Sequence, residues 1–201
     1  MDWHLLLLSF ALIFPVELPD KTFVAALVLS TRYRPLAVWV GVGLAFAVQC
    51  LLAVTAGHAV SFLPEWVVQL VSVVLFLAGA ALLFRAAPHA DEEEKEQEDH
   101  FAAKATRDQK GWHAVATSFV VLFAAEWGDL SQVLTLNLVA RYGSPVAVFF
   151  GAWAALLAVS GLAVLGGRVL LRYLRLSVVH YVAGSVCLLL ATVGLYQLAT
   201  L

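Results

Sequence analysis

The sequence predicts an all-α integral membrane protein: six transmembrane helices, arranged as two inverted three-helix repeats joined by an acidic cytoplasmic loop. Three observations predict it. The 201-residue chain is 62% hydrophobic and only 13% charged, too little polar surface for a soluble domain of this length. Six apolar stretches reach the roughly 20 residues that a bilayer crossing takes. The second half of the chain repeats the first.

The six stretches are Trp3–Thr31, Leu36–Leu63, Trp66–Phe84, Trp112–Ala140, Val146–Gly167 and Val178–Ala199. All but the first and fourth are free of Asp, Glu, Lys and Arg. Pro35, Pro64 and Pro145 mark turns between them. The one long polar segment, "APHADEEEKEQEDHFAAKATRDQKG", runs from Ala87 to Gly111. It divides the chain into a first unit, 1–86, a charged linker, 87–111, and a second unit, 112–201. Its charge run reads as a solvated linker; the alternative is that its acids, with His89 and His100, collect or sense cations. Cys50 and Cys187 fall in apolar segments and read as small buried hydrophobes. The opening "MDWHLLLL" lacks the positive region of a signal peptide.

The repeat is visible residue by residue. Shifted by 109 positions, Trp3-His4 falls on Trp112-His113, Glu17 on Glu126, Asp20 on Asp129 and Arg32-Tyr33 on Arg141-Tyr142. Twelve of the 32 positions from 2 to 33 are identical. With one extra residue in the second turn, Pro35 meets Pro145, Gly41 meets Gly151 and Gly57 meets Gly167. Shared apolar composition does not match Trp, His, Glu, Asp, Arg and Pro together. Three spans per half is odd, so the second half is expected to enter the membrane from the opposite side, the inverted-repeat plan of many secondary transporters.

Lys and Arg set the expected orientation. Leaving aside Lys21 within a span, ten lie on the side of loops 1–2, 3–4 and 5–6: Arg32, Arg34, Arg85, Lys95, Lys104, Arg107, Lys110, Arg168, Arg172 and Arg175. The other side has Arg141 alone. The positive-inside rule puts the first side in the cytosol and both termini outside.

Glu17 and Glu126 each lie 14 residues beyond a Trp and 15 before an Arg. At ~1.5 Å per residue both are about 20 Å from either flank, near mid-membrane. On a continuous helix Glu17 with Asp20, and Glu126 with Asp129, share a face. A carboxylate at that depth costs roughly 2.5–3.5 kcal/mol, so four cost ~10 kcal/mol or more against typical stabilities of ~5–15 kcal/mol. Helix-to-helix glue does not call for the same pair in both halves, and Lys21 alone cannot neutralise four acids. The reading favoured is a cation site where the halves meet.

The neighbouring groups are oxygen donors: Thr22, Ser131 and the amide of Gln132, with Gln49 within reach from the second span. On a straight helix Thr22 and Ser131 point away from the acids, so they join the site only if the helix is distorted or if they face the other half; Gln132 is better placed. Carboxylate-rich oxygen ligands suit Ca²⁺ or Mn²⁺ and not Cu⁺ or a thiolate zinc site. Pro15 and Pro19 free the carbonyls of Ala11 and Pro15. Gly128 stands where the first half has Pro19. Broken helices whose carbonyls line an ion path are common in transporters; the alternative is an ordinary proline kink. Asn137 lines the route or bridges helices.

At these residues the chain resembles the cation/proton antiporters that carry two E-x-G-D-[KR]-[ST] motifs, among them Golgi and chloroplast manganese/calcium transporters and bacterial manganese exporters. The matching stretches are "ELPDKT", 17–22, and "EWGDLSQ", 126–132. The resemblance covers nearly the whole chain and implies exchange of a divalent cation, chiefly Mn²⁺ or Ca²⁺, for H⁺. It implies that Glu17, Asp20, Glu126 and Asp129 supply the acidic ligands and Thr22 and Ser131 the hydroxyls. Pro19 replaces the glycine of the first motif, and Leu130 the basic residue of the second. Lys21 is at i+4 from Glu17, a favourable ion-pair spacing; Leu130 cannot act so toward Glu126. With a divalent cation bound, four ionised acids and one lysine leave a surplus negative charge, which is unfavourable to bury, so one carboxyl, Glu126 first, is expected to stay protonated.

The expected function is therefore a secondary transporter that exports a divalent cation from the cytosol in exchange for protons, in the plasma membrane of a prokaryote. The transported ions are substrates; no cofactor, enzymatic activity or nucleic-acid partner is expected. The competing readings are a passive cation channel and an intramembrane aspartyl hydrolase built on Asp20 and Asp129.

Overall fold

The computed structural model describes residues 2–18, 21–90, 96, 99–103, 111–173 and 176–200, with side chains described outside residues 65, 167–173 and 176. These residues form eight long helices: α1 (Trp3–Glu17), α2 (Lys21–Arg32), α3 (Pro35–Val60), α4 (Glu65–Ala86), α5 (Trp112–Ala125), α6 (Leu130–Tyr142), α7 (Pro145–Tyr173) and α8 (Leu176–Ala199). Local chemistry sets their ends. The Asp2 side chain accepts from the Leu5 N–H at the start of α1, capping a donor the helix leaves unpaired. Pro35 opens α3 and Pro145 opens α7, where a missing N–H costs nothing. Gly143 ends α6 in the left-handed region, φ 63°, which a side chain disfavours.

Among the described residues four helices are long and apolar enough to cross a membrane: 35–60, 66–86, 145–166 and 177–199. A fifth crossing arises if α5 and α6, bent by 75° at a short break, count as one. The first expected span, Trp3–Thr31, is likewise divided, into the apolar 15-residue α1 and the 12-residue α2. Pro15 lies inside α1, which continues to Glu17, so the missing N–H at that proline does not end the helix. Large apolar side chains such as Leu51, Val74, Leu82, Val120 and Leu189 are exposed on the outside, an arrangement water penalises and lipid does not.

The two halves interlock. The first helix of each packs on the long second-span helix of the other: α1 on α7, and α5 on α3. The helices after each break do the same, α2 on α7 and α6 on α3, while α4 pairs with α8. Glycines make the closest approaches possible. A Cβ on Gly41 of α3 would overlap the Val115 carbonyl and press on Ser118 of α5. A Cβ on Gly151 of α7 would overlap the Leu6 carbonyl and press on Ser9 of α1. These positions correspond under the repeat offsets, so one contact is made twice. Two indole N–H groups add to the α3–α7 seam, Trp39 to the Leu157 carbonyl (3.0 Å) and Trp153 to the Gly43 carbonyl (2.9 Å).

The main core runs from Ile13, Val24 and Leu29 through Val42 and Phe46 to Leu122, Leu134 and Ala152. Cys50 and Cys187 are buried free thiols within it, as their apolar setting predicts. The linker differs from a wholly solvated one. Residues 99–103 are helical, and Phe101 is buried in the main core, because burying an aromatic ring outweighs solvating so short a turn. The acidic run at 91–95 lies outside the described residues.

Candidate cation site

The break between α5 and α6 is built by three residues. Glu126 closes α5 with φ −96° and ψ 11°, its N–H bonded to the Leu122 carbonyl at 3.0 Å. Gly128 takes φ 81°, a conformation glycine enters freely and other residues resist. Asp129 is the N-cap of α6, and its carboxylate accepts from both the N–H and the hydroxyl of Ser131 at 3.4 Å. Glu126 and Asp129 therefore do not share a helical face as the i, i+3 spacing suggests. They flank a turn, one at a helix C-terminus and the other at a helix N-terminus.

Gln132 fastens this turn. Its amide nitrogen donates to the Glu126 carbonyl at 2.7 Å, and its amide oxygen accepts from the Gly128 N–H at 3.2 Å. Expected as a ligand, Gln132 is placed as a clip. Gln49, buried on α3, holds the approach to the turn by donating to the Phe123 carbonyl at 3.1 Å.

In the first half Glu17 is the last residue of α1 and wholly buried. Thr22, also wholly buried, donates to a Glu17 oxygen at 3.2 Å. The hydroxyls of Thr22 and Ser131 thus reach acids that a straight helix keeps from them, Ser131 because its helix starts anew at Asp129. Asp20 and Pro19 lie outside the described residues.

The breaks meet. Glu17, Glu126 and Asp129 each offer a carboxylate oxygen, and the three atoms lie within 4.8 Å of one another. Oxygens bound to one Ca²⁺ at 2.3–2.6 Å sit at roughly such separations. The α1 and α5 C-termini bring the negative ends of two helix dipoles to the cluster, which favours a cation. Lys21 crosses to the other half, its ammonium 3.9 Å from Asp129. That partner is not legible from spacing, which points Lys21 at Glu17. Leu130, in the place of the second basic residue, packs its methyls against Gly79 of α4.

Asn137 does not reach the cluster. Its amide bonds to the Ser72 hydroxyl on α4, so it bridges helices. Sequence reasoning also missed a cleft of about 270 Å³, lined by Gln49, Ala53, Trp127, Gly128, Gln132 and Leu136 among others, which begins at the α5–α6 turn.

The model of the GDT1 family, described as divalent cation/proton antiporter GDT1, matches residues 5–91 and 114–200, two segments 109 residues apart. The chain is 34% identical to GDT1-like protein sll0615 of Synechocystis over 186 residues, covering 89% of this chain and 90% of that one. It is 30% identical to chloroplastic protein PAM71 of Arabidopsis thaliana, covering 96% of this chain and 56% of that protein. It is 32% identical to chloroplastic GDT1-like protein 1 of Oryza sativa subsp. indica, covering 94% of this chain and 61% of that protein. The chain thus spans little more than half the length of the chloroplastic relatives and nearly all of the cyanobacterial one. No solved structure matches it. A family match over both halves, with an acid cluster where the two halves meet, places this integral membrane protein in the GDT1 family of divalent cation/proton antiporters.

Proposed function

We propose that this protein carries a divalent cation, Mn²⁺ or Ca²⁺, across its membrane in exchange for protons. The cation is held by Glu17, Glu126 and Asp129, joined by Asp20, with Thr22 and Ser131 orienting the carboxylates. The observation that carries this reading is the convergence of those three described acids within 4.8 Å. Carboxylates brought that close repel one another unless a cation or protons occupy the cluster, so metal and protons compete for the same oxygens. That competition is the chemistry of antiport.

In the same reading, α1 with α2 and α5 with α6 each make one broken crossing, giving six in all. The units 1–86 and 112–201 form an inverted repeat joined by the linker 87–111. The duplicated contacts of Gly41 and Gly151 support it. The arginine-rich side faces the cytosol and both termini face outward, so inward proton flow drives the cation out. A prokaryotic plasma membrane is the proposed location.

The test is reconstitution in liposomes with a pH dye inside, an imposed pH gradient, and Mn²⁺ or Ca²⁺ added outside. Antiport predicts proton movement that needs the metal and is lost in Glu17→Gln and Asp129→Asn. Metal flux with no proton movement would establish a channel or uniporter instead.

A further inference from the structure

The cleft beside the α5–α6 turn lies on one side of the acid cluster. Its α6 residues, Gln132, Val133 and Leu136, run from the turn toward Arg141, and its α3 residues, Gln49, Ala53 and Ala56, run toward Val60. It therefore leads from the cluster's depth to the face holding the α3–α4 and α6–α7 turns. The repeat offsets locate its mate on the other face. Gln132 corresponds to Phe23, Leu136 to Leu27, Gln49 to Val159 and Ala53 to Ala163. Among the described residues these positions are packed and apolar. Phe23, Ala26, Val159 and Ala163 form a buried apolar cluster, closed further by Phe14 and Val164. Where one half has two amides beside a cleft, the other has an aromatic ring against a valine.

We propose that Phe23 is the gate residue on the Arg32 face of the cation path: its ring seals the cluster from that face while the Gln132 side stands open. This rests on the transporter reading of the same site. Phe23 follows Thr22, which holds Glu17, so a shift of α2 that lifts the ring also moves a ligand of the site. Coupling of gate to ligand follows from their being neighbours in one helical turn. An apolar constriction excludes water and ions without a charge of its own, and the ring is the largest side chain in the cluster.

The test separates sealing from antiport. Proton leak into liposomes is measured with no divalent metal present, under an imposed potential. Phe23→Ala is expected to leak about tenfold faster than the native protein, and Phe23→Leu, which keeps an apolar plug, to stay near the native rate. Thiol labelling supplies the second measurement, with Cys50 and Cys187 replaced by Ser. Ala53→Cys is expected to react with a membrane-impermeant reagent from the Val60 face, and Ala163→Cys to react faster from the Arg32 face once Phe23 is truncated. Equal labelling of Ala163→Cys with and without the ring, or a monodisperse Phe23→Ala protein as tight as the native one, overturns the proposal. Neither readout uses metal transport, so loss of the antiporter reading in the liposome assay is a separate result.

Discussion

Lys21 of the first half lies 3.9 Å from Asp129 of the second, with about a third of the lysine side chain exposed. Partly exposed pairs of this kind add little stability. The lysine's effect is on the site's charge: it is a fixed cation beside the acids proposed to exchange metal for protons. Replacing it by Gln leaves a divalent cation facing a more negative cluster. The apparent affinity for Mn²⁺ should then rise, with unfolding changed by less than about 1 kcal/mol. An affinity that stays put or falls would show that Lys21 does not act on the proposed cation-binding acids.

Gly41 and Gly151 test the interlocked packing. A methyl at either position meets a backbone carbonyl of the other half, Val115 or Leu6, and a carbonyl in a helix cannot swing aside as a side chain can. Each Gly→Ala change should destabilise the protein by about 1–3 kcal/mol, and the two losses should be similar. Gly166→Ala is the control, since nothing lies within 4 Å of the added carbon. Thermal unfolding in detergent measures all three.

Much of this arrangement was legible in the chain, for identifiable reasons. Hydrophobic length fixed the positions of α3, α4, α7 and α8, and the 109-residue offset fixed which residues of the two halves correspond. The acids stood out because membrane interiors penalise them. The α5–α6 turn was less legible. Gly128 is a small residue in a helical pattern, and only its positive φ shows that Glu126 and Asp129 sit at helix ends. Interactions across the halves were illegible altogether. Spacing along one helix pointed Lys21 at Glu17, whereas its contact with Asp129 depends on how two broken helices face each other. Phe101 escaped notice for a similar reason, as one aromatic within a charge run whose average is polar.

Gln132 spans the turn, bonded to the Glu126 carbonyl and the Gly128 N–H. Truncation to Ala leaves two backbone groups to find other partners, at a cost of about 1–3 kcal/mol. Gln132→Glu keeps the oxygen that accepts from Gly128 but sets a carboxylate oxygen against the Glu126 carbonyl and adds an acid beside the cluster, so it should be less stable than Ala. If Gln132 were a ligand and not a clip, Gln132→Ala would weaken metal binding with unfolding unchanged. Measuring the apparent affinity for Mn²⁺ and the unfolding temperature on the same preparation separates the two roles.

We propose that Glu126 is the acid that keeps a proton when the metal is bound. Among the described groups, three carboxylates face one another and one lysine is near; Asp20 adds a fourth acid by sequence. A divalent cation leaves this set short of neutrality, and unbalanced charge in a membrane interior is costly. One proton retained with the metal removes the surplus. Glu126→Gln fixes that neutral state, so it should keep measurable cation transport while moving fewer protons per cation, with a flatter dependence on pH. Glu17→Gln has no such excuse, because Glu17 is already oriented by the Thr22 hydroxyl as an acceptor, and its loss should abolish transport. Proton and metal fluxes recorded together for the two variants decide the matter: complete inactivity of Glu126→Gln at every pH would assign the retained proton elsewhere.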